Sequence, residues 1–182
     1  MLPPRRLVSL LLPALAACSL GQPPALPALY ELGAPPPRSA AAAVELQLLD
    51  IDAPSWMNGS GIAYRLDYLD RYRREFYRDS RWVAPPAALL AERLRQRAAS
   101  PTAAARQPLR LELEDCVQVF ASPTQSELRL SVRAWLGEGA GARFRRFEIG
   151  RPAAPNAAGA VAGLAAAADE LFEGLQAWAA ER

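Results

Sequence analysis

Hydrophobic and polar residues alternate along several stretches of the chain, which is typical of half-buried strands. In residues 44–48, apolar side chains alternate with glutamate and glutamine. At Leu49 and Ile51 the apolar positions shift from even to odd residue numbers, which indicates either a bulge or a strand buried on both faces. A shorter stretch, residues 29–32, is predicted to form a first strand at a sheet edge.

The next alternating stretch, residues 62–68, predicts a strand with residues 73–77 as its hairpin partner. Tyr68, Tyr72 and Phe76 are also four residues apart, so a helical interpretation of this segment stays open.

Two long strands are predicted in the second half of the chain, at residues 109–119 and 128–134. Antiparallel pairing would place Glu112 and Glu114 on the same solvated face as Arg129 and Arg133. A glycine-rich segment, residues 137–143, joins two strand-like segments and predicts a hairpin turn rather than a phosphate-binding loop. One face of the first long strand is expected to be apolar, with Asp115 as the exception: Leu109, Leu111, Leu113, Val117 and Val119.

Two helices are predicted from the 3.6-residue periodicity of apolar positions. Pro86 suits the first position of one helix. Proline has no backbone N–H, and at this position the N–H of any residue would have no partner within the helix. The second helix is C-terminal, and its apolar stripe is interpreted as a face that docks on the sheet or, alternatively, as a short coiled-coil seam. The stripe consists of Val161, Leu164, Ala168, Leu171, Leu175 and Trp178.

The N-terminus has the parts of a secretory signal: Arg5 and Arg6, then 11 largely apolar residues up to Ala17. This stretch is too short for a bilayer core, which needs about 20 residues; a short buried helix is the alternative. Residues 1–17 are therefore predicted to be a signal peptide.

The segment that ends in Cys18 resembles the bacterial lipobox, "LAAC". The resemblance implies acyl chains on Cys18, and two or more chains anchor a protein stably to a membrane. Ser19 favours the outer membrane, facing the periplasm, over retention at the inner membrane. Residues 18–28 would form a proline-rich tether to a domain at residues 29–182.

Composition narrows the chemistry available to this chain. It has no histidine, and all 21 basic residues are arginine, so there is no imidazole base or ligand and no lysine for a Schiff base. Cys116 would lack a histidine to activate it and is interpreted as a packing residue. We expect no enzyme activity, no cofactor and no metal site.

Charge argues against nucleic acid as a partner. Without Arg5 and Arg6, 19 arginines balance 19 acidic residues, whereas nucleic-acid binders usually carry a basic excess.

Seven aromatic residues and six arginines are interleaved between residues 56 and 82. Both kinds of side chain are enriched at protein interfaces. The cluster is either core alone or core with an exposed binding edge, and the residues suggested to contact a partner are Tyr68, Tyr72, Arg73 and Arg74.

The most specific pattern in the chain is "FYRDSRWVAPPAALLAERL", residues 76–94. It occurs in order with Cys18, "LYELG", "VELQLLDIDAPSWMNGSGIAYRL", "LRLELEDCVQVFASPTQSELRLSVRAWL", "RFRRFEI" and a late alanine-rich helix ending in "LQAW". On these motifs the chain resembles the ABC-type transport auxiliary lipoproteins, the PqiC/YmbA-like family.

The resemblance implies a single α/β domain with a mixed central β-sheet, here of about five or more strands, packed by two main helices. It also implies a role beside an MCE-domain protein and inner-membrane permease and ATPase components, docking their assembly at the outer membrane. A homo-oligomer stays open. The alternative is an envelope assembly or stress lipoprotein that binds cell-wall or outer-membrane machinery. Arg81, Trp82, Pro85 and Pro86 would form a structural junction, and no catalytic residue carries over.

Overall fold

A mixed sheet of seven strands and two α-helices make up the described parts of the computed structural model, residues 25–37, 44–98 and 107–181. This confirms the predicted α/β class with two main helices. The predicted signal peptide, Cys18 and most of the tether lie outside the described residues.

The strands are β1 (Ala28–Tyr30), β2 (Leu46–Asp52), β3 (Gly61–Leu66), β4 (Arg74–Trp82), β5 (Gln107–Ser122), β6 (Gln125–Leu136) and β7 (Arg143–Ala153). The helices are α1 (Pro86–Ala98) and α2 (Ala157–Ala180), and two short 3-10 turns span Ser55–Met57 and Gly139–Gly141.

The long strand β5 organises the sheet. On one side it pairs antiparallel with β6, which pairs antiparallel with the edge strand β7. On its other side, β5 pairs in parallel with β2 over its first half and with β3 over its second half. Strand β4 runs antiparallel to β3, and β1 lies parallel to the end of β4 as the predicted edge strand. The helical interpretation of residues 68–76 is therefore wrong.

Both helices pack on one face of the sheet, α1 against β2 and α2 against β5, β6 and β7. The apolar stripe of α2 is buried except at the half-buried Val161, which confirms that this stripe docks on the sheet. Helix α1 begins at Pro86, as predicted. Neither described helix combines the length and the apolar character that crossing a bilayer requires.

A bulge in β5 corrects one prediction about its faces. The pairing of β5 with β6 shifts register between Leu113 and Asp115, so the extra residue reverses the alternation beyond it. Val117 and Val119 consequently lie on the face opposite the helices, with Ala63. Cys116 joins the helix-side core instead.

Two other local features agree with the sequence. Strand β2 shifts register between Leu48 and Asp50, which places a bulge at Leu49. The predicted turn between β6 and β7 is formed with Gly137 at φ 90° and Gly139 at φ 61°, backbone conformations that other residues rarely adopt.

Candidate interaction surfaces

The seven aromatic residues between positions 56 and 82 divide into a packed group and an exposed group. Trp82 is buried in the core, and the rings of Tyr64 and Tyr77 are in contact, with centroids 4.8 Å apart. The other four rings are 40% or more exposed. The sequence had left core alone and core with an exposed edge open, and the structure favours the second. The exposed rings belong to Trp56, Tyr68, Tyr72 and Phe76.

The packed group is held by hydrogen bonds. Tyr77 donates from its hydroxyl to Gln118 at 2.7 Å, and Tyr64 donates to Glu75 at 2.6 Å. Burial raises the pKa of Tyr77 to about 12, and the hydrogen bond to Glu75 is the main cause of the raised pKa of Tyr64. These phenols are structural groups held in their neutral form.

The predicted junction lies where β4 leads into α1. The Arg81 guanidinium donates to the backbone carbonyls of Tyr77 and Ser80. The backbone N–H of Trp82 donates to the carbonyl of Ser60 at 2.7 Å. Val83 and Ala84 form a bend after the strand, Pro85 follows them, and α1 starts at Pro86. In this environment Trp82 packs as a core residue while Arg81 satisfies backbone carbonyls.

We call the sheet face opposite the two helices the open face. One group of aromatic side chains on it surrounds Arg74. The guanidinium carbon of Arg74 lies 4.7 Å from the centroid of the Trp56 ring, and its guanidinium also pairs with Asp115. Phe76 covers Gly61, where an added Cβ would approach its ring to 2.5 Å. This region of the open face therefore combines two half-exposed rings with an arginine already held by neighbours.

A second aromatic group on the open face was missed by the sequence reasoning. Trp135 and Phe144 pair across β6 and β7 with ring centroids 5.4 Å apart. The guanidinium carbon of Arg110 lies 5.0 Å from the Trp135 ring centroid. The alternation along β6 could have identified this group, because it places Trp135 on the face opposite the buried residues of the strand. These are Leu128, Leu130, Val132 and Ala134.

Charged side chains lie between the two aromatic groups. Glu114, at the bulge, binds Arg133 at 2.7 Å and Arg146 at 2.5 Å. Glu112 lies 3.8 Å from Arg133, and Glu148 pairs with Arg146 at 2.8 Å. The predicted cross-strand proximity of Glu112 and Glu114 to Arg133 is confirmed. We call these five residues the charge network.

A shallow groove of about 450 Å³ runs along the open face beside this network. Charged side chains dominate its lining, including Arg65, Asp115, Glu127, Arg129 and Glu148.

The third exposed feature is the turn between β3 and β4, residues 67–73, which we call the hairpin tip. Leu69 and Tyr72 are 70% and 92% exposed. The backbone N–H groups of Leu69 and Asp70 both donate to the carbonyl of Leu66, and that of Tyr72 donates to the Asp70 carboxylate. The tip is thus a hydrogen-bonded turn whose apolar side chains are exposed to solvent.

The four residues suggested to contact a partner are divided between these features. Tyr68, Tyr72 and Arg73 belong to the hairpin tip, and Arg73 is 2.8 Å from Glu75. Arg74 begins β4 and lies on the open face, with Trp56 and Asp115 as its neighbours.

Among the described residues, Cys116 is a free thiol, and it is buried. Burial raises the pKa of the Cys116 thiol to about 12. Within residues 25–37, 44–98 and 107–181, no group of three or more His, Cys, Asp or Glu is placed to hold a metal ion. Asp50, within β2, accepts a 2.8 Å hydrogen bond from the backbone N–H of Ile51.

Comparison with known proteins shows the fold. The structure of protein XCC0632 from Xanthomonas campestris, of the family DUF330, has a TM-score of 0.67 at 15% identity over 82% of this chain and 93% of that chain. An uncharacterized protein matches with a TM-score of 0.64 at 12% identity over 86% of this chain and 100% of that chain. No family model and no curated protein matches the sequence. At these identities the two structures share the fold of this chain.

Proposed function

We propose that the chain is a non-enzymatic, lipid-anchored periplasmic component of an MCE/ABC-type transport system, which moves lipids or hydrophobic compounds between the inner and outer membranes. Acyl chains on Cys18 would hold the domain at the outer membrane, where it docks the transport assembly. The ordered motifs of the mature chain support this role. The mixed sheet with two helices is also the fold that the resemblance implies.

The open face is the observation that carries the proposal. Trp56, Phe76 and Phe144 are each about half exposed there, at 54%, 51% and 56%. Aromatic and arginine side chains are enriched in the parts of interfaces that bind most strongly. The charge network between the rings would orient a partner whose charges complement it. The MCE-domain protein of the system is the proposed occupant.

Affinity capture from detergent-solubilised envelopes tests the proposal, with partners identified by mass spectrometry. We expect the lipidated protein to recover an MCE-domain protein with its permease and ATPase. A Cys18→Ala variant controls for capture that depends only on the anchor. If a folded bait recovers only cell-wall or outer-membrane assembly proteins, the alternative of an assembly or stress lipoprotein replaces the transport role.

Matched variants locate the contact. Phe76→Ala and Phe144→Ala remove half-exposed rings and should lower capture of the MCE-domain protein in a folded bait. Arg73→Glu at the hairpin tip tests the contact suggested by the sequence, since Arg73 is 70% exposed. Arg74→Glu is a poor probe because it would place a second carboxylate beside Asp115. Undiminished capture by folded Phe76→Ala and Phe144→Ala baits would remove the open face from the proposal.

A further inference from the structure

The hairpin tip lies at the end of the sheet from which the N-terminal chain arrives. Strand β1 runs parallel to β4, with Ala28 beside Ser80. Strand β4 begins at Arg74, directly after the tip. The chain therefore enters β1 from the same end of the sheet that carries the hairpin tip.

The length of chain before β1 matches the projection of the tip. Strand β4 is bulged against β3, with Gly61 opposite Arg81 but Ala63 opposite Phe76. Counted along β3, about five residues separate the level of Ser80 from that of Tyr72, so the tip projects roughly 17 Å beyond the level of Ala28 at ~3.3 Å per strand residue. Ten residues separate Cys18 from Ala28, a reach of roughly 31 Å for a polyproline-like chain and roughly 17 Å for a flexible coil. At the longer reach the anchor passes the tip by about 14 Å. At the shorter reach, that of a flexible coil, the anchor and the tip lie at about the same level.

The side chains of the hairpin tip suit the boundary between lipid and water. Leu69 and Tyr72 are largely exposed and Tyr68 is 40% exposed, although the turn that carries them is held by its own hydrogen bonds. Tyrosine places its ring in an apolar layer and its hydroxyl in water, which is why it is enriched at membrane interfaces.

The charges of the tip are compatible with a lipid surface. Asp67 pairs with Arg65, and this hydrogen bond keeps the pKa of Asp67 below its usual range. Asp70 accepts the backbone N–H of Tyr72. Both acidic groups are therefore engaged within the protein. Arg71 makes none of the ion pairs found among the described residues, although its charge also lowers the pKa of Asp67, and its guanidinium can bind a lipid phosphate.

We infer that the hairpin tip is a second membrane contact, in which Tyr68, Leu69 and Tyr72 enter the interfacial layer of the membrane that holds the anchor. The inference rests on the proposed lipidation of Cys18. With anchor and tip both at the membrane, the strands stand upright on its surface. The open face then points sideways into the periplasm, where a protein partner can reach it.

Fluorescence from a single introduced cysteine tests this contact in the full-length lipidated protein. Leu69→Cys is labelled with the environment-sensitive dye NBD, and Glu138→Cys, exposed in the β6–β7 turn at the opposite end of the sheet, is the matched control. Cys116 is buried, with a thiol pKa of about 12, and should stay unlabelled. The proteins are reconstituted into vesicles of phosphatidylethanolamine and phosphatidylglycerol, and flotation reports anchoring separately.

We expect both labelled proteins to float with the vesicles and a Cys18→Ala variant to remain unbound at the bottom of the gradient. On reconstitution the dye at position 69 should shift its emission to the blue and be quenched by spin-labelled lipid, whereas the dye at position 138 should do neither. Flotation with unchanged emission at position 69 would overturn the tip contact and leave the anchor intact. Emission that changes only after an MCE-domain protein is added would assign the tip to that protein instead. Failure of the lipidated protein to float would overturn the proposed anchor and, with it, this inference.

Discussion

Tyr77 reaches across β3 to donate a 2.7 Å hydrogen bond to the side chain of Gln118, which is fully buried in β5. The amide of Gln118 also donates to the Ser126 hydroxyl and to the carbonyl of Ala154, both at 2.7 Å. One buried amide thus joins β4, β5, β6 and the segment before α2. These bonds fix the β3–β4 hairpin, and with it the hairpin tip, to the rest of the sheet.

Removing the Tyr77 hydroxyl should destabilise the domain. In Tyr77→Phe, the buried oxygen of Gln118 loses its donor, and an unsatisfied buried polar group costs about 1–3 kcal/mol. Urea denaturation should show this loss in the free energy of unfolding. Tyr72→Phe is the control, because this side chain is 92% exposed and surface changes usually stay within about 0.5 kcal/mol. Equal stability of the two variants would contradict the role assigned to the buried amide.

The same tyrosine predicts how stability depends on alkaline pH. The folded pKa of Tyr77 is about 12, above the value of about 10 for an exposed phenol. The folded state therefore holds this proton more tightly than the unfolded state, so the contribution is complete below pH ~10 and is lost as the pH rises toward the folded pKa. Tyrosinate absorbance should show a late-titrating phenol that Tyr77→Phe removes. Stability of Tyr77→Phe should also fall less steeply above pH ~10 than that of the wild type.

Trp82 and Trp56 test the division of the aromatic residues into core and surface. Trp82 is 2% exposed, and truncation of a buried tryptophan costs about 3–5 kcal/mol. Trp56→Ala should cost much less, roughly the 0.5–1 kcal/mol of an exposed cation–π contact with Arg74. Thermal or urea unfolding of the two variants measures the difference. A larger loss for Trp56→Ala would mean that the short turn at Ser55–Met57 holds the open face together.

The sequence predicted most elements of this fold because each strand and helix has its own hydrophobic period. It placed Pro86 at the start of α1 and identified the stripe of α2 correctly. It failed where one inserted residue changes the period: the shift between Leu113 and Asp115 turned Val117 to the opposite face. The local sign of the bulge was Asp115, a charged residue that unbroken alternation would place on the apolar face between Leu113 and Val117.

The candidate surfaces were harder to predict than the fold. The sequence located the aromatic and arginine residues between positions 56 and 82, but exposure depends on which strands become neighbours. Tyr77 is covered because Gln118 lies across β3 from it, whereas Phe76, the preceding residue, points to the open face and is half exposed. Trp135 and Phe144 are far apart from Trp56 in the chain, and the sheet order brings them onto the same face.

Arg93 should control both stability and the position of the N-terminal segment. Its guanidinium is buried and binds both oxygens of Asp169, at 3.0 and 2.8 Å. It also donates to the carbonyls of Leu32 and Gly33, at 2.7 and 3.0 Å. A lysine keeps the charge but lacks the planar fork that makes these contacts together. Arg93→Lys should therefore cost about 1–3 kcal/mol through buried acceptors left unpaired.

The consequence extends to the N-terminal segment, because the residues that follow β1 are held to α1 by Arg93 at Leu32 and Gly33 and by Arg97 at Pro36. Hydrogen exchange of a peptide covering residues 28–37 should be faster in Arg93→Lys than in the wild type. Arg95→Lys is the matched control, since Arg95 lies on the exposed side of the same helix. Protection that is unchanged in Arg93→Lys would mean that the pairing of β1 with β4 and the Arg97 hydrogen bond to Pro36 hold the N-terminal segment without Arg93. Arg93 would then act only between the two helices.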